Sequence, residues 1–145
     1  MTSPKPYILV ADDDPDDREM LAERFQRSDP HVRFRWMTNG YEVLDYLRSC
    51  PNDDLPRLMV IDYKMPGMTG AEVLQCIQHE ERFRVIPKVV WSTSDNQEYI
   101  DKALNSGADN YFAKPADMAS FDKLVGLLSK LLRFGKRKTD IDWGG

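Results

Sequence analysis

Apolar residues along the chain fall into two alternating patterns. Short continuous runs occur at "YILVA" (7–11), "RLMVID" (57–62), "KVVW" (88–91) and "NYFA" (110–113), and a weaker run, "VRFRWM" (32–37), alternates. Runs of this length suit β-strands, and the continuous ones suit strands covered on both faces. The segments between them carry a helical period instead. Met20, Leu21 and Phe25 form one stripe in "DREMLAERFQRS", and Val43, Leu44 and Leu47 form another in "YEVLDYLRS". Val73, Leu74 and Ile77 form a third in "GAEVLQCIQHEERF" (70–83), and "NQEYIDKALNSG" (96–107) closes on Gly107, a residue suited to a C-cap. The last stripe is the clearest, with Phe121, Leu124, Val125, Leu128, Leu131 and Leu132 on one helical face.

Strand and helix thus alternate along the whole chain, which implies an α/β fold with a parallel sheet and helices on both faces. Right-handed crossovers leave few topologies for such a sheet. Neither an internal repeat nor a linker interrupts the pattern, so residues 1–134 are expected to form one domain and 135–145, "GKRKTDIDWGG", a tail. The "KRK" of that tail reads as a solvated helix end.

Composition narrows the class. A chain of 145 residues, 41% hydrophobic and 30% charged, is long enough for one globular core. No apolar run approaches the roughly 20 residues that span a bilayer. "MTSPKPY" lacks the apolar stretch of a secretory signal, so a cytoplasmic protein without membrane attachment is expected. Cys50 and Cys76 have neither metal-site nor disulfide spacing; they read as a loop thiol and a small helix-packing residue. The formal net charge of −4 argues against nucleic acid as a partner, since that binding runs on excess Lys and Arg.

In open parallel sheets, ligands bind beyond the carboxyl ends of the strands. The first strand runs into "ADDDPDD", which holds five aspartates between positions 12 and 17. The third strand ends at Asp62, the fourth at Ser92, and the fifth runs into Lys114. Three carboxylates gathered at one sheet edge cannot all stay ionised unless a cation offsets them. An all-oxygen set with room for water suits Mg²⁺. Asp16 and Asp17 belong to the first turn of the next helix, where negative charge meets the positive end of the dipole, and Asp14 reads as its cap. A calcium loop fails here: Asp12, Asp14, Asp16 and Glu23 have the spacing, but Asp17 stands where glycine must turn the chain.

"ILVADD", "VIDYKMPGMTG", "IPKVVWSTS" and "GADNYFAKP", in this order and spacing, resemble the receiver domain of bacterial two-component response regulators, from residue 7 to about 133. Similarity is greatest to stand-alone regulators, including those paired with phytochrome-type kinases. The resemblance implies a flavodoxin-like doubly wound sheet of five strands in order 2-1-3-4-5 with five helices. It implies that Asp62 accepts a phosphoryl group from a sensor histidine kinase. Asp12, Asp13, Asp62 and the backbone carbonyl of Lys64 would hold Mg²⁺. Ser92 would hydrogen-bond one phosphoryl oxygen and Lys114 would pair with another, with a cis Lys114–Pro115 peptide. Ser92 and Tyr111 would relay phosphorylation to the surface of the fourth helix, fifth strand and fifth helix, a face suited to homodimers. Lys64 and Ser94, each two residues past a site residue, would flank the path of attacking water.

Two alternatives share this pattern. An aspartyl-phosphate phosphatase also uses a strand-end Asp, a hydroxyl, a Lys and Mg²⁺, but carries an acidic residue two positions after its nucleophile, where this chain has Lys64. No group is then evident to protonate a leaving alcohol, so a signalling phosphoacceptor is expected rather than a turnover enzyme. A phosphorelay shuttle, with a histidine-phosphotransfer partner, is the second alternative. "QHEERF" (78–83) faintly resembles a histidine-kinase phosphorylation box, but no ATP-binding glycine motif accompanies it, and His79 reads as a surface residue.

Overall fold

The computed structural model describes residues 6–136; the greater part of the expected tail, 137–145, lies outside the described residues. Ten regular elements alternate: β1 Tyr7–Ala11, α1 Pro15–Ser28, β2 Arg33–Met37, α2 Gly40–Ser49, β3 Leu58–Asp62, α3 Gly70–Ile77, β4 Lys88–Ser92, α4 Gln97–Asn105, β5 Asn110–Ala113 and α5 Met118–Phe134. The sheet order is β2-β1-β3-β4-β5 with every neighbouring pair parallel, the expected topology.

Successive strand residues point to opposite faces, so the continuous apolar runs feed two cores. Ile8, Val10, Leu58, Val60 and Trp91 pack under α1 and α5, with Leu21, Phe25 and Leu128. Leu9, Met59, Ile61 and Val90 pack under α2, α3 and α4, with Val43, Leu47 and Leu74. Strand β2 lies at the edge, which accounts for its weaker alternation: Arg33 and Arg35 are exposed, and Phe34 stacks on Trp36 at 4.8 Å. Charged residues on an edge strand discourage further pairing. A forked ion pair, Arg24 to Asp122 at 2.8 and 2.7 Å, ties α1 to α5. Helix α4 ends as anticipated, Gly107 taking φ +112° one residue past the cap Ser106.

Three local expectations need correction. The third helix stops at Ile77 rather than running to residue 83, and a short 3₁₀ turn covers Glu81–Phe83. Ending early turns the chain back so that Phe83, which a continued helix would carry off, is buried in the core. Cys50 is a loop thiol as expected, but Cys76 does not pack against the core. Cys76 is exposed on α3, whereas Cys50, in the turn after α2, is buried with its Sγ on the Asp54 carbonyl at 3.0 Å. The Lys114–Pro115 peptide, expected cis, is trans like the other described peptide bonds; trans is the favoured isomer even before proline. Lys88, inside an apolar run, is buried, and its ammonium donates to the Phe83 and Ile86 carbonyls at 2.5 and 2.9 Å. Burial brings its pKa down to about 8.

Candidate functional site

Backbone ladders that continue past the strand ends fix the chemical groups. Ala11 pairs with Ile61, which puts Asp12 level with Asp62, and the Asp12 amide extends the ladder to the Met37 carbonyl at 2.9 Å. Asp62 pairs with Trp91, so Ser92 stands one residue further out on the adjacent strand. Ser92 pairs with Ala113, and the Lys114 amide then donates to the Ser92 carbonyl at 2.7 Å. Gly70 lets α3 start against the end of β3: a Cβ there would stand 2.6 Å from the Asp62 carbonyl oxygen.

The expected carboxylates meet. Asp12, Asp13 and Asp62 each offer an oxygen such that all three lie within 4.8 Å of one another. Asp12 is fully buried and Asp62 nearly so, while Asp13 is exposed. Lys114 enters from β5 and reaches Asp12 Oδ2 at 2.9 Å and Asp62 Oδ2 at 3.2 Å. Its Nζ also lies 5.0 Å from the Trp91 ring centroid, a cation–π contact that helps to orient it.

Electrostatics in this pocket are under tension. Burial, then the charge of Asp12, push the Asp62 carboxyl up to about 7, against the pull of Lys114. Burial likewise raises Asp12. Burial works against the Lys114 ammonium, but hydrogen bonds to Asp17 and Asp12 and the charge of Asp62 more than offset it and hold it above the usual lysine range. Asp12 Oδ2 is buried against the Lys114 ammonium at 2.9 Å. Three converging carboxylates, two of them buried and served by a single ammonium, make an all-oxygen donor set that fits a hard divalent cation of the Mg²⁺ type.

The other expected residues lie around this centre. Ser92 is buried, and its Oγ accepts from the Ser94 amide at 3.2 Å. The Tyr111 hydroxyl donates to the Ser94 carbonyl at 2.6 Å, so the two expected switch residues share one loop. The Lys64 amide donates to Asp62 Oδ1 at 3.3 Å, while its exposed side chain carries the ammonium over the Tyr99 ring. Asp14 caps α1 as expected, accepting from the Asp16 amide at 2.9 Å. Asp17 exceeds its expected part: beyond lying in the first turn of α1, it pairs with Lys114 at 2.7 Å. Arg18 was not anticipated either, and its guanidinium donates to the Asp12 carbonyl at 2.7 Å. The available signal for Asp17 was its place at the third helical position after the cap, where a first-turn side chain can reach back to the strand edge.

Comparison with known proteins identifies the family. Residues 8–126 match the response regulator receiver domain family. The chain is 32% identical over 123 residues to the probable methanogenesis regulatory protein FilR2 of Methanothrix harundinacea, a match covering 83% of this chain and 79% of that one. It is 30% identical over 138 residues to the two-component response regulator ARR8 of Arabidopsis thaliana, covering 85% of this chain and 60% of that protein. Among solved structures, the phosphorylated cyanobacterial phytochrome response regulator RcpA superposes with a TM-score of 0.80 at 25% identity, over 90% of this chain and 96% of that one. RPA3017, a response regulator in red light signaling of R. palustris, gives a TM-score of 0.77 at 26% identity, over 88% and 93%. The Mn²⁺-bound form of response regulator Rcp1, at 24% identity, TM-score 0.78 and coverage of 90% and 96%, shares the fold. This chain belongs to the response regulator receiver domain family of two-component signalling.

Proposed function

We propose that Asp62 is the phosphoacceptor and that a phosphohistidine of a sensor kinase is the donor. An Asp62 carboxylate oxygen attacks phosphorus, the phosphorus–nitrogen bond breaks, and the imidazole leaves with the electron pair. The product is an acyl phosphate. The observation that carries this reading is the convergence of Asp12, Asp13 and Asp62 with a buried lysine at the sheet edge. Phosphoryl transfer asks chiefly for positioning and charge neutralisation. Lys114, already 3.2 Å from the Asp62 oxygen, neutralises one phosphoryl oxygen, and the Ser92 hydroxyl donates to another. Asp12, Asp13, Asp62 and the Lys64 carbonyl would hold Mg²⁺, which supplies charge neutralisation for the incoming phosphoryl group when bound.

The acyl phosphate adds nearly two negative charges at one point. Ser92 and Tyr111, joined through the backbone of Ser94, carry that change to the α4–β5–α5 surface, which then engages a protein target or a second copy of the chain. Similarity to RcpA and RPA3017 supports a phytochrome-type kinase as the donor. Among the described residues no helix is long and apolar enough to cross a membrane, which suits work in the cytoplasm. A histidine-phosphotransfer partner would make the same chemistry a relay step. Incubation with acetyl phosphate or a cognate kinase tests the acceptor: Asp62→Asn should lose stable, alkali-labile phosphate. Wild-type levels of label on that variant would overturn the assignment.

A further inference from the structure

Lys64 presents an anomaly. Its amide lies within 3.3 Å of an Asp62 oxygen, at the rim of a pocket with an excess of carboxylates, yet its ammonium does not turn into that pocket. Among the described residues it makes no ion pair; its Nζ sits 5.2 Å from the centroid of the Tyr99 ring. Tyr99 is itself anchored, stacked at 4.5 Å and 18° on Tyr63, the buried residue that follows Asp62. The ring is thus held on one side by the acceptor strand and offers a π face to the loop lysine.

We propose that Tyr99 is a positioning residue that parks Lys64 away from Asp62 and thereby sets the lifetime of the phosphorylated form; this rests on Asp62 being the phosphoacceptor. Hydrolysis needs a water molecule to reach phosphorus; the bond from phosphorus to the Asp62 oxygen breaks, the carboxylate leaves with the electron pair, and the water's protons pass to phosphate and solvent. A lysine two residues from the acceptor is long enough to fold over a phosphoryl dianion, pair with it and cover the water's approach. The Tyr99 ring competes for the same ammonium. Where the ring holds it, the approach stays open and the phosphate turns over. Because Tyr99 lies on α4, a displacement of that helix by a bound partner would release Lys64 and lengthen the signal.

The test is the first-order decay of radiolabelled acyl phosphate, after removal of acetyl phosphate, in excess Mg²⁺. Tyr99→Leu should slow decay about two- to fivefold, the range a cation–π contact at a partly exposed site carries. Tyr99→Phe, which keeps the ring, should decay at the wild-type rate. In a Lys64→Ala background, adding Tyr99→Leu should change nothing. A Tyr99→Leu effect of equal size with and without the Lys64 side chain would overturn the proposal, as would faster decay or a Tyr99→Phe variant that behaves like Tyr99→Leu. Wild-type protein that takes up no label would instead overturn the phosphoacceptor reading, and this inference with it.

Discussion

Replacing Asp62 by Asn should make the metal-free protein more stable at neutral pH, although it removes a residue at the centre of the site. In the fold, burial and the neighbouring Asp12 charge raise the Asp62 carboxyl from 3.8 to about 7. The folded state then binds more protons than the unfolded state across that interval, so stability contributed by this group is full below about pH 4 and is lost as pH rises towards 7. At about 1.4 kcal/mol per pH unit the interval is worth roughly 4 kcal/mol as a ceiling. That interval already includes the pull of Lys114, and screening by residual solvent reduces the net figure to about 1–2 kcal/mol. Lys114 does not become an unpaired buried charge in the variant, because Asp12 and Asp17 remain at 2.9 and 2.7 Å. Urea unfolding with EDTA from pH 4 to 8 reads the effect. Wild type should lose stability across the range and Asp62→Asn should show a flatter profile, with the two diverging towards neutrality. Excess Mg²⁺ should close the gap by stabilising wild type through selective binding to the folded state. Parallel profiles, or a variant less stable than wild type at pH 7.5, would refute the account of a charge-strained pocket.

Two further substitutions probe the supports of the site. Asp17→Asn should cost roughly 1 kcal/mol in the urea midpoint, since it removes a partly exposed partner of Lys114, and should also change the rate of phosphate uptake; unchanged midpoint and rate would remove Asp17 from the site. Gly70→Ala should cost about 1–3 kcal/mol, because a Cβ would stand 2.6 Å from the Asp62 carbonyl and backbone must move. A variant that unfolds and phosphorylates like wild type would show that this close approach is not needed.

The topology was legible because each buried strand wrote itself as a continuous apolar run and each covering helix as a stripe. Leu124, Leu128 and Leu131 on α5 and Val73, Leu74 and Ile77 on α3 are all buried where their spacing put them. The meeting of Asp12, Asp13, Asp62 and Lys114 was legible for a similar reason: a parallel sheet brings its strand ends to one edge, so residues far apart in sequence become neighbours by rule. What escaped depends on side-chain reach. In "DDDPDD" only its third place after the cap sets Asp17, which turns towards Lys114, apart from Asp16, which stays exposed, and that place does not name the lysine it meets. Lys88 reads as a break in an apolar run, and only the fold supplies the two carbonyls that receive its ammonium. Phe83 ends α3 early through a tertiary preference that local periodicity does not carry. Tyr99 needs both Tyr63 and Lys64 in space before its position has meaning.

Chemical mapping of the phosphorylated residue bears most directly on the central claim. Protein treated with acetyl phosphate and Mg²⁺, then reduced with borohydride, should carry homoserine at position 62 alone by peptide mass spectrometry, and should carry none when Mg²⁺ is chelated beforehand. Homoserine at another aspartate, or equal conversion of Asp62 without divalent cation, would contradict a cation-assisted acceptor built by Asp12, Asp13 and Asp62.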